Sequence, residues 1–342
     1  MSRAQFFRYS LELLSASRMQ GTPSSTVSFR FPSVAIYLRY RIGIPYRKTT
    51  EIFRELFGLK FVPASALLFD RQAAGRGMPI YEDLREKIRI SEVVHADETS
   101  WRSDGVGHFV WFAGNENLAF FHIDRHRSAH VAETIFGENF NGTLVRDRYA
   151  AYNRIGVDWQ VCLAHIITNA KEIRAEHALL PQTEKDTATG PFCDRLRDLC
   201  ARLCEAGQKL ESGHIPWKTA AQIEKRSIAE LKQICKHPLR FKPAETLRTY
   251  LAGPEQKFLF TFLRRPGVPP TNNHAEQSLR HLVIFRKICF GTRSDSGVKT
   301  HSILPSLVQT ARRQGIHPRE FLQILLTADT ATAQAALYNN SS

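Results

Sequence analysis

Val93-Val94-His95-Ala96-Asp97-Glu98-Thr99-Ser100-Trp101 is the stretch on which the reading of this chain turns. A short apolar run climbs into a pair of carboxylates and stops at small polar residues, the pattern of a strand that delivers an acid at its exit. Such an acid costs desolvation unless a metal or another cation pairs with it. Two later acids have comparable settings. Asp147 ends Gly142-Thr143-Leu144-Val145-Arg146-Asp147, again a short strand closing on a carboxylate. Glu276 lies in Thr271-Asn272-Asn273-His274-Ala275-Glu276-Gln277-Ser278-Leu279-Arg280, where residues 271–273 can cap a helix and Glu276 falls in its first turns. The three acids are expected to meet and hold divalent metal.

Around these acids, residues 92–165 read as sheet. Runs at 93–97, 109–113 and 118–123 are strands separated by glycine-containing turns. A helix carrying Val131, Ile135 and Phe136 follows, then the strand ending at Asp147, then Trp159-Gln160-Val161-Cys162-Leu163. The fold class is therefore α/β, a mixed sheet with helices packed on it. Residues 166–265 carry almost no strand signal; stripes such as Phe192, Leu196, Leu199 and Leu203 mark a helical insertion. Residues 266–328 return to the core with the Glu276 helix, a glycine-punctuated basic loop at 291–297 and two more helices. A polar tail at 329–342 ends the chain.

On the other side, residues 1–32 read as a poorly ordered arm and residues 33–90 as a helical domain. Helices through Val34 and Tyr40, through Ile52 and Phe57, and from Pro63 are separated by Gly43 and Gly58, with a connecting helix at Tyr81, Leu84 and Ile88. That outline fits a helix-turn-helix, with Arg47, Lys48, Arg54, Lys60 and Arg71 available for phosphates. A plain helical bundle with a solvated basic face is the alternative.

The 342 residues carry a formal net charge of +14, which favours a polyanionic partner, nucleic acid before membrane. No apolar run approaches a membrane span, and the opening residues lack the pattern of a signal peptide, so a cytoplasmic setting is expected. The six cysteines do not suggest a disulfide framework; Cys193, Cys200 and Cys204 lie within an apolar helical stripe.

Converging carboxylates have a definite chemical consequence. At about 4 Å and an effective dielectric near 20, each like-charged pair costs about 4 kcal/mol. Either one acid is protonated or a cation lies between them. Oxygen donors suit Mg²⁺ or Mn²⁺, and two such ions can activate an attacking oxygen and stabilise a leaving one in phosphoryl displacement. Each acid also has a structural alternative: Asp97 as a strand-end cap, Asp147 as a turn former, Glu276 as the i,i+4 partner of Arg280. Cys162 and His165 have ligand spacing, but no second pair at zinc-finger spacing follows; His165 can instead face the acids and contact a phosphate or the attacking water. Arg280, Arg286, Lys287 and Arg293, with Asn273, are candidates to grip a substrate strand, a solvated helix face being the alternative.

Taken in order, several motifs resemble the transposases of the insertion sequence 66 family over roughly residues 33–325. They are Pro45-Tyr46-Arg47, Ala96-Asp97-Glu98-Thr99 with Trp101, Asp147-Arg148-Tyr149-Ala150-Ala151-Tyr152, and Cys162-Leu163-Ala164-His165. Asn272-Asn273-His274-Ala275-Glu276 with Arg280, Arg286-Lys287, and Gly291-Thr292-Arg293-Ser294 with Gly297 complete the set. The resemblance implies a DDE transposase with an RNase H-like core, in which Asp97, Asp147 and Glu276 are the catalytic acids and ligands of two Mg²⁺ or Mn²⁺ ions. It further implies nicking at element ends, attack of the freed 3′-hydroxyl on target DNA, a homo-oligomer on double-stranded DNA, accessory proteins of the same element, and a prokaryotic, nucleoid-associated setting. The chain departs from the family pattern at Gln277, Leu163 and Thr168, and lacks the longer N-terminal region of full-length members. The competing readings are a nuclease that cuts without joining and a transposase-derived DNA-binding protein that no longer catalyses.

Overall fold

The apolar run at residue 93 does become a strand, and the sheet grows from it. The computed structural model describes residues 25–155 and 158–338; most of the expected N-terminal arm and the last four residues of the tail lie outside them. In chain order the helices and strands are α1 (Ser25–Tyr37), α2 (Tyr46–Phe57), α3 (Pro63–Arg89), β1 (Val93–Ser103), β2 (Val106–Gly114), β3 (Ala119–Asp124), α4 (Ala129–Phe136), β4 (Thr143–Arg146) and β5 (Asp158–Val161). There follow α5 (Leu163–Leu179), α6 (Thr189–Glu211), α7 (Ala220–Ile234), α8 (Lys242–Ala252), α9 (Thr261–Arg264), α10 (Asn273–Cys289), α11 (Asp295–Arg313), α12 (Pro318–Thr327) and α13 (Thr330–Leu337).

The strands form one five-stranded sheet in the order β3-β2-β1-β4-β5. Strands β2 and β3 are antiparallel, while β4 runs parallel to both β1 and β5. This is the mixed α/β architecture expected from the sequence, consistent with an RNase H-like core. Two compact units divide the chain, one of Met1–Ile88, Glu98–Arg127 and Gln277–Ser342, the other of Arg89–Asp97 and Ser128–Glu276.

Several elements differ from their expected bounds, each for a physical reason. Strand β1 continues past Asp97 because Trp101 and Ser103 are buried while Ser100 and Arg102 are exposed, which keeps the two-residue alternation going. Asp104 (φ 50°) and Gly105 (φ 77°) then close a two-residue connection in the left-handed region, the conformation whose twist matches a hairpin. The first helix begins at Ser25, within the expected arm. Helix α3 is continuous where two helices were expected; Pro79 sits inside it. The carbonyl of Gly75 that Pro79 leaves without an amide is on an exposed turn, where water can serve it. Within the expected tail, Asp329 accepts from the Thr332 amide at 2.9 Å and starts α13, which buries Ala333 and Leu337.

In the second unit, Val145, Val161 and Leu163 join one apolar core with the Phe192, Leu196, Leu199 and Leu203 stripe of the helical insertion. Cys193 and Cys200 are buried free thiols within it. Among the described residues, no helix is long and apolar enough to cross a membrane.

In the first unit, helix α11 covers the free edge of the sheet. The outward amides of Ala119, Phe121 and Ile123 on β3 donate to Thr310 Oγ1, Ser306 Oγ and Ser302 Oγ at 3.1, 2.8 and 3.0 Å. Four helical residues advance about 6 Å and two strand residues about 6.6 Å, so hydroxyls at i, i+4 and i+8 meet every second strand amide. The edge is thereby closed to pairing with another chain. Ser306→Ala strands the buried Phe121 amide. It is expected to cost about 1–3 kcal/mol in urea unfolding and to increase aggregation; unchanged stability would mean that the hydroxyls are incidental.

The same helix carries His301, which is buried. Its Nδ1–H donates to the Gly297 carbonyl at 3.0 Å, and Nε2 faces Arg39 Nη2 at 3.5 Å. Burial first, then the Arg39 charge, hold its pKa down to about 3. A depressed folded-state pKa means that the contribution to stability is present above the unfolded value near 6.5 and lost as the pH falls toward about 3. Nearby Asp70, whose pKa burial raises to about 6, acts in the opposite direction and is common to wild type and variant. The pH profile of unfolding should therefore differ between wild type and His301→Gln by a term that grows only below about pH 6.5.

Candidate active site

The register of the parallel strands places the first two acids. Val93, Val94 and His95 of β1 pair with Thr143, Leu144 and Val145 of β4, and Arg146 pairs with Val161 of β5. The pairing of β1 with β4 ends at His95 and Val145, so Asp97 lies two positions further along β1 and Asp147 immediately follows β4. Both acids are half-buried. Asp147 Oδ1 accepts from the Tyr149 amide at 2.8 Å, which turns the chain immediately after the strand. Buried Arg146 braces that turn by donating to the carbonyls of Asp147 and Tyr149 at 3.2 Å and to Asn153 Oδ1 at 3.0 Å, its guanidinium lying over the Trp159 ring.

Asn272, just ahead of α10, brings the third acid to the same end of the sheet. Its side chain is fully buried and donates to the Ala96 carbonyl at 2.7 Å, while its Oδ1 accepts from His95 Nδ1 at 2.9 Å. Its own amide points at Cys162 Sγ, 3.1 Å away, and the Pro270 carbonyl accepts from the Leu163 amide at 3.0 Å. The Asn272 carbonyl accepts from the amides of Ala275 and Glu276, so it begins the helix whose first turn carries Glu276. The expectation that residues 271–273 cap this helix therefore holds through the Asn272 backbone. The buried role of its amide side chain was missed, because its partners lie 176 and 177 residues away in the chain.

Glu276 is exposed, with Oε1 at 3.7 Å from His165 Nδ1. His165 stands in the first turn of α5, three residues after Cys162. The Cys162 sulfur, then the charges of Glu276 and Asp147, raise the His165 imidazole to about 9 against the opposing effect of burial. Ligand atoms of Cys162, His165 and Glu276 lie within 4.8 Å of one another, so borderline nitrogen and sulfur donors adjoin the carboxylate of Glu276. Asp97 and Asp147 are oxygen donors of the kind a hard divalent cation takes, and both are half-buried.

Asn273, Arg280 and Lys287 are exposed along α10, and Arg47 and Lys48 are exposed at the start of α2. Within the first unit, Arg286 donates to the carbonyl and hydroxyl of Ser100, and Arg286 and Arg293 border one groove with Arg102 and His108. Arg102 and the neighbouring Phe290 were not singled out from sequence, since neither lies in a patterned run.

Asn272→Ala is expected to destabilise the protein by roughly 1–3 kcal/mol in denaturant unfolding, since it removes the amide that caps the buried Ala96 carbonyl and one partner of His95. A loss below about 0.5 kcal/mol would show that the start of α10 is held by something else.

Transposase IS66 family is the description of the family model that matches residues 24–300, about four fifths of the chain and all three acids. No curated protein matches the sequence.

Proposed function

The chain belongs to the IS66 family of transposases, and from that premise we propose that it cuts DNA at the ends of an insertion sequence and joins the freed ends to target DNA. What supports this reading is that Asp97 and Asp147 follow the paired segments of adjacent parallel strands and that Asn272 ties the start of the Glu276 helix to the carbonyl preceding Asp97. His165 in turn faces Glu276, and the Cys162 sulfur, then the charges of Glu276 and Asp147, raise its imidazole.

In this reading Asp97, Asp147 and Glu276 hold two Mg²⁺ or Mn²⁺ ions. When bound, such ions activate the attacking oxygen and stabilise the leaving one. The residues themselves do the positioning. Strand ends braced by Arg146 and by Asn272 hold two carboxylates without a reorganisation cost at the moment of reaction. Glu276, on a helix turn at the surface, remains accessible to a phosphodiester. His165 offers a ring donor to a non-bridging phosphate oxygen. Arg47, Lys48, Asn273, Arg280, Arg286, Lys287 and Arg293 contact backbone phosphates of double-stranded DNA, and the +14 charge draws that polyanion in. Joining two element ends to a target requires more than one copy on the DNA. The implied setting is the prokaryotic nucleoid, with accessory proteins of the same element.

A Mg²⁺-dependent cleavage assay on duplexes carrying the flanking inverted repeats tests this. Asp97→Asn, Asp147→Asn and Glu276→Gln are each expected to lower cleavage by at least about 10²–10³-fold while leaving DNA affinity largely in place. Strand-transfer products from precut ends separate a transposase from a nuclease that only cuts. Full cleavage by Asp97→Asn would remove the proposed site.

A further inference from the structure

Phe290 stands where the backbone disfavours it. It follows the last residue of α10, its amide donates to the Arg286 carbonyl at 2.8 Å, and its φ is 60°. Glycine is the usual occupant of that left-handed position; a bulky residue there costs about 1–2 kcal/mol. No packing offsets the cost, because Phe290 is 81% exposed. The next residue, Gly291 (φ 94°), shows that glycine was available to this turn. A Cβ on Gly291 would lie 2.0 Å from the Arg102 carbonyl oxygen, so its smallness is required by the close approach to β1.

That approach builds a fixed floor. Thr292 N donates to the Arg102 carbonyl and Asp104 N to the Thr292 carbonyl, both at 2.9 Å, while Trp101 Nε1 donates to Thr292 Oγ1 at 3.2 Å. The ring is thus presented on a rigid turn, at the border of a groove of about 700 Å³ between the β1–β2 hairpin and the end of α10. Arg102, Arg286 and Arg293 line this groove, with Asp104 as the acid among its lining residues. An exposed aromatic face among guanidinium groups is the chemistry that takes an unstacked base and its flanking phosphates. A duplex keeps its bases stacked on one another and offers no face to the ring.

We propose that Phe290 is a stacking platform for a nucleotide unpaired from DNA, held in the groove lined by Arg102, Arg286 and Arg293. The inference rests on the DNA-cutting reading and adds that a base near the processed end leaves the helix. The strain at Phe290 is maintained because the base needs the ring there.

The test uses the full chain carrying Asp97→Asn, so that binding is read without cleavage. The probes are a labelled single-stranded oligonucleotide and a duplex end carrying 2-aminopurine. Phe290→Ala and Phe290→Gly are expected to weaken single-strand binding by about 5- to 150-fold, the range for losing one stacked base, and to abolish the change in 2-aminopurine fluorescence that binding produces. Phe290→Trp retains both. Phe290→Gly also raises the unfolding temperature by roughly 1–3 °C, as relief of a left-handed phenylalanine predicts. Unchanged binding by Phe290→Ala overturns the proposal, and so does a fall in unfolding temperature with Phe290→Gly, which would make the ring a packing group. Because the acids are silent in this assay, failure here leaves the cleavage reading standing, whereas failure of cleavage with stacking intact would leave a base-binding groove without the processed end.

Discussion

Asn272 is the constraint on which the candidate site depends. A primary amide carries donors and an acceptor in one plane, and Asn272 uses one of each to join the Ala96 carbonyl of β1 and the His95 ring while its backbone starts a helix and faces a cysteine. A buried amide without partners would cost several kcal/mol, so the geometry is all or nothing. The position of Glu276 follows from that of Asn272, four residues earlier on the same turn. The start of the Glu276 helix is thus held to β1 by neutral hydrogen bonds rather than by charge.

The same economy recurs across the molecule. Buried polar groups are used where backbone must be terminated or covered. Arg146 satisfies the carbonyls of the turn after Asp147, and the hydroxyls of α11 satisfy the outer edge of β3. Asp70 accepts from the hydroxyls of Tyr40 and Tyr46 at 2.9 and 2.5 Å, beside Arg39. Each replaces water at a place where an open edge or an unpaired group would destabilise the fold.

Phe290 reverses that logic. Elsewhere the local conformation suits the residue, as at Gly291, Gly105 and the capping Asp329. At residue 290 the residue conflicts with its conformation and is exposed as well. A conflict between local preference and structure, with no packing gain, belongs to the class of features kept for binding.

The strands at 93, 109, 118, 143 and 158 were legible from sequence because apolar alternation and glycine turns are local signals. The helical insertion was legible because its stripes have a helix period. The acids were legible as candidates, since a carboxylate closing an apolar run is conspicuous in one dimension. The continuity of α3 through Pro79 was not, because it depends on whether a particular carbonyl faces solvent. Nor could the pairing of β1 with β4 be read, because parallel register is set by packing between segments fifty residues apart. What the sequence determined by itself is the chemistry on offer: a basic chain, three acids, short strands and a helical insertion. Only the tertiary structure decided that Asn272 ties the start of the Glu276 helix to β1, that His165 faces Glu276 and that Phe290 is left uncovered, because long-range hydrogen bonds and burial have no signature in the order of the residues.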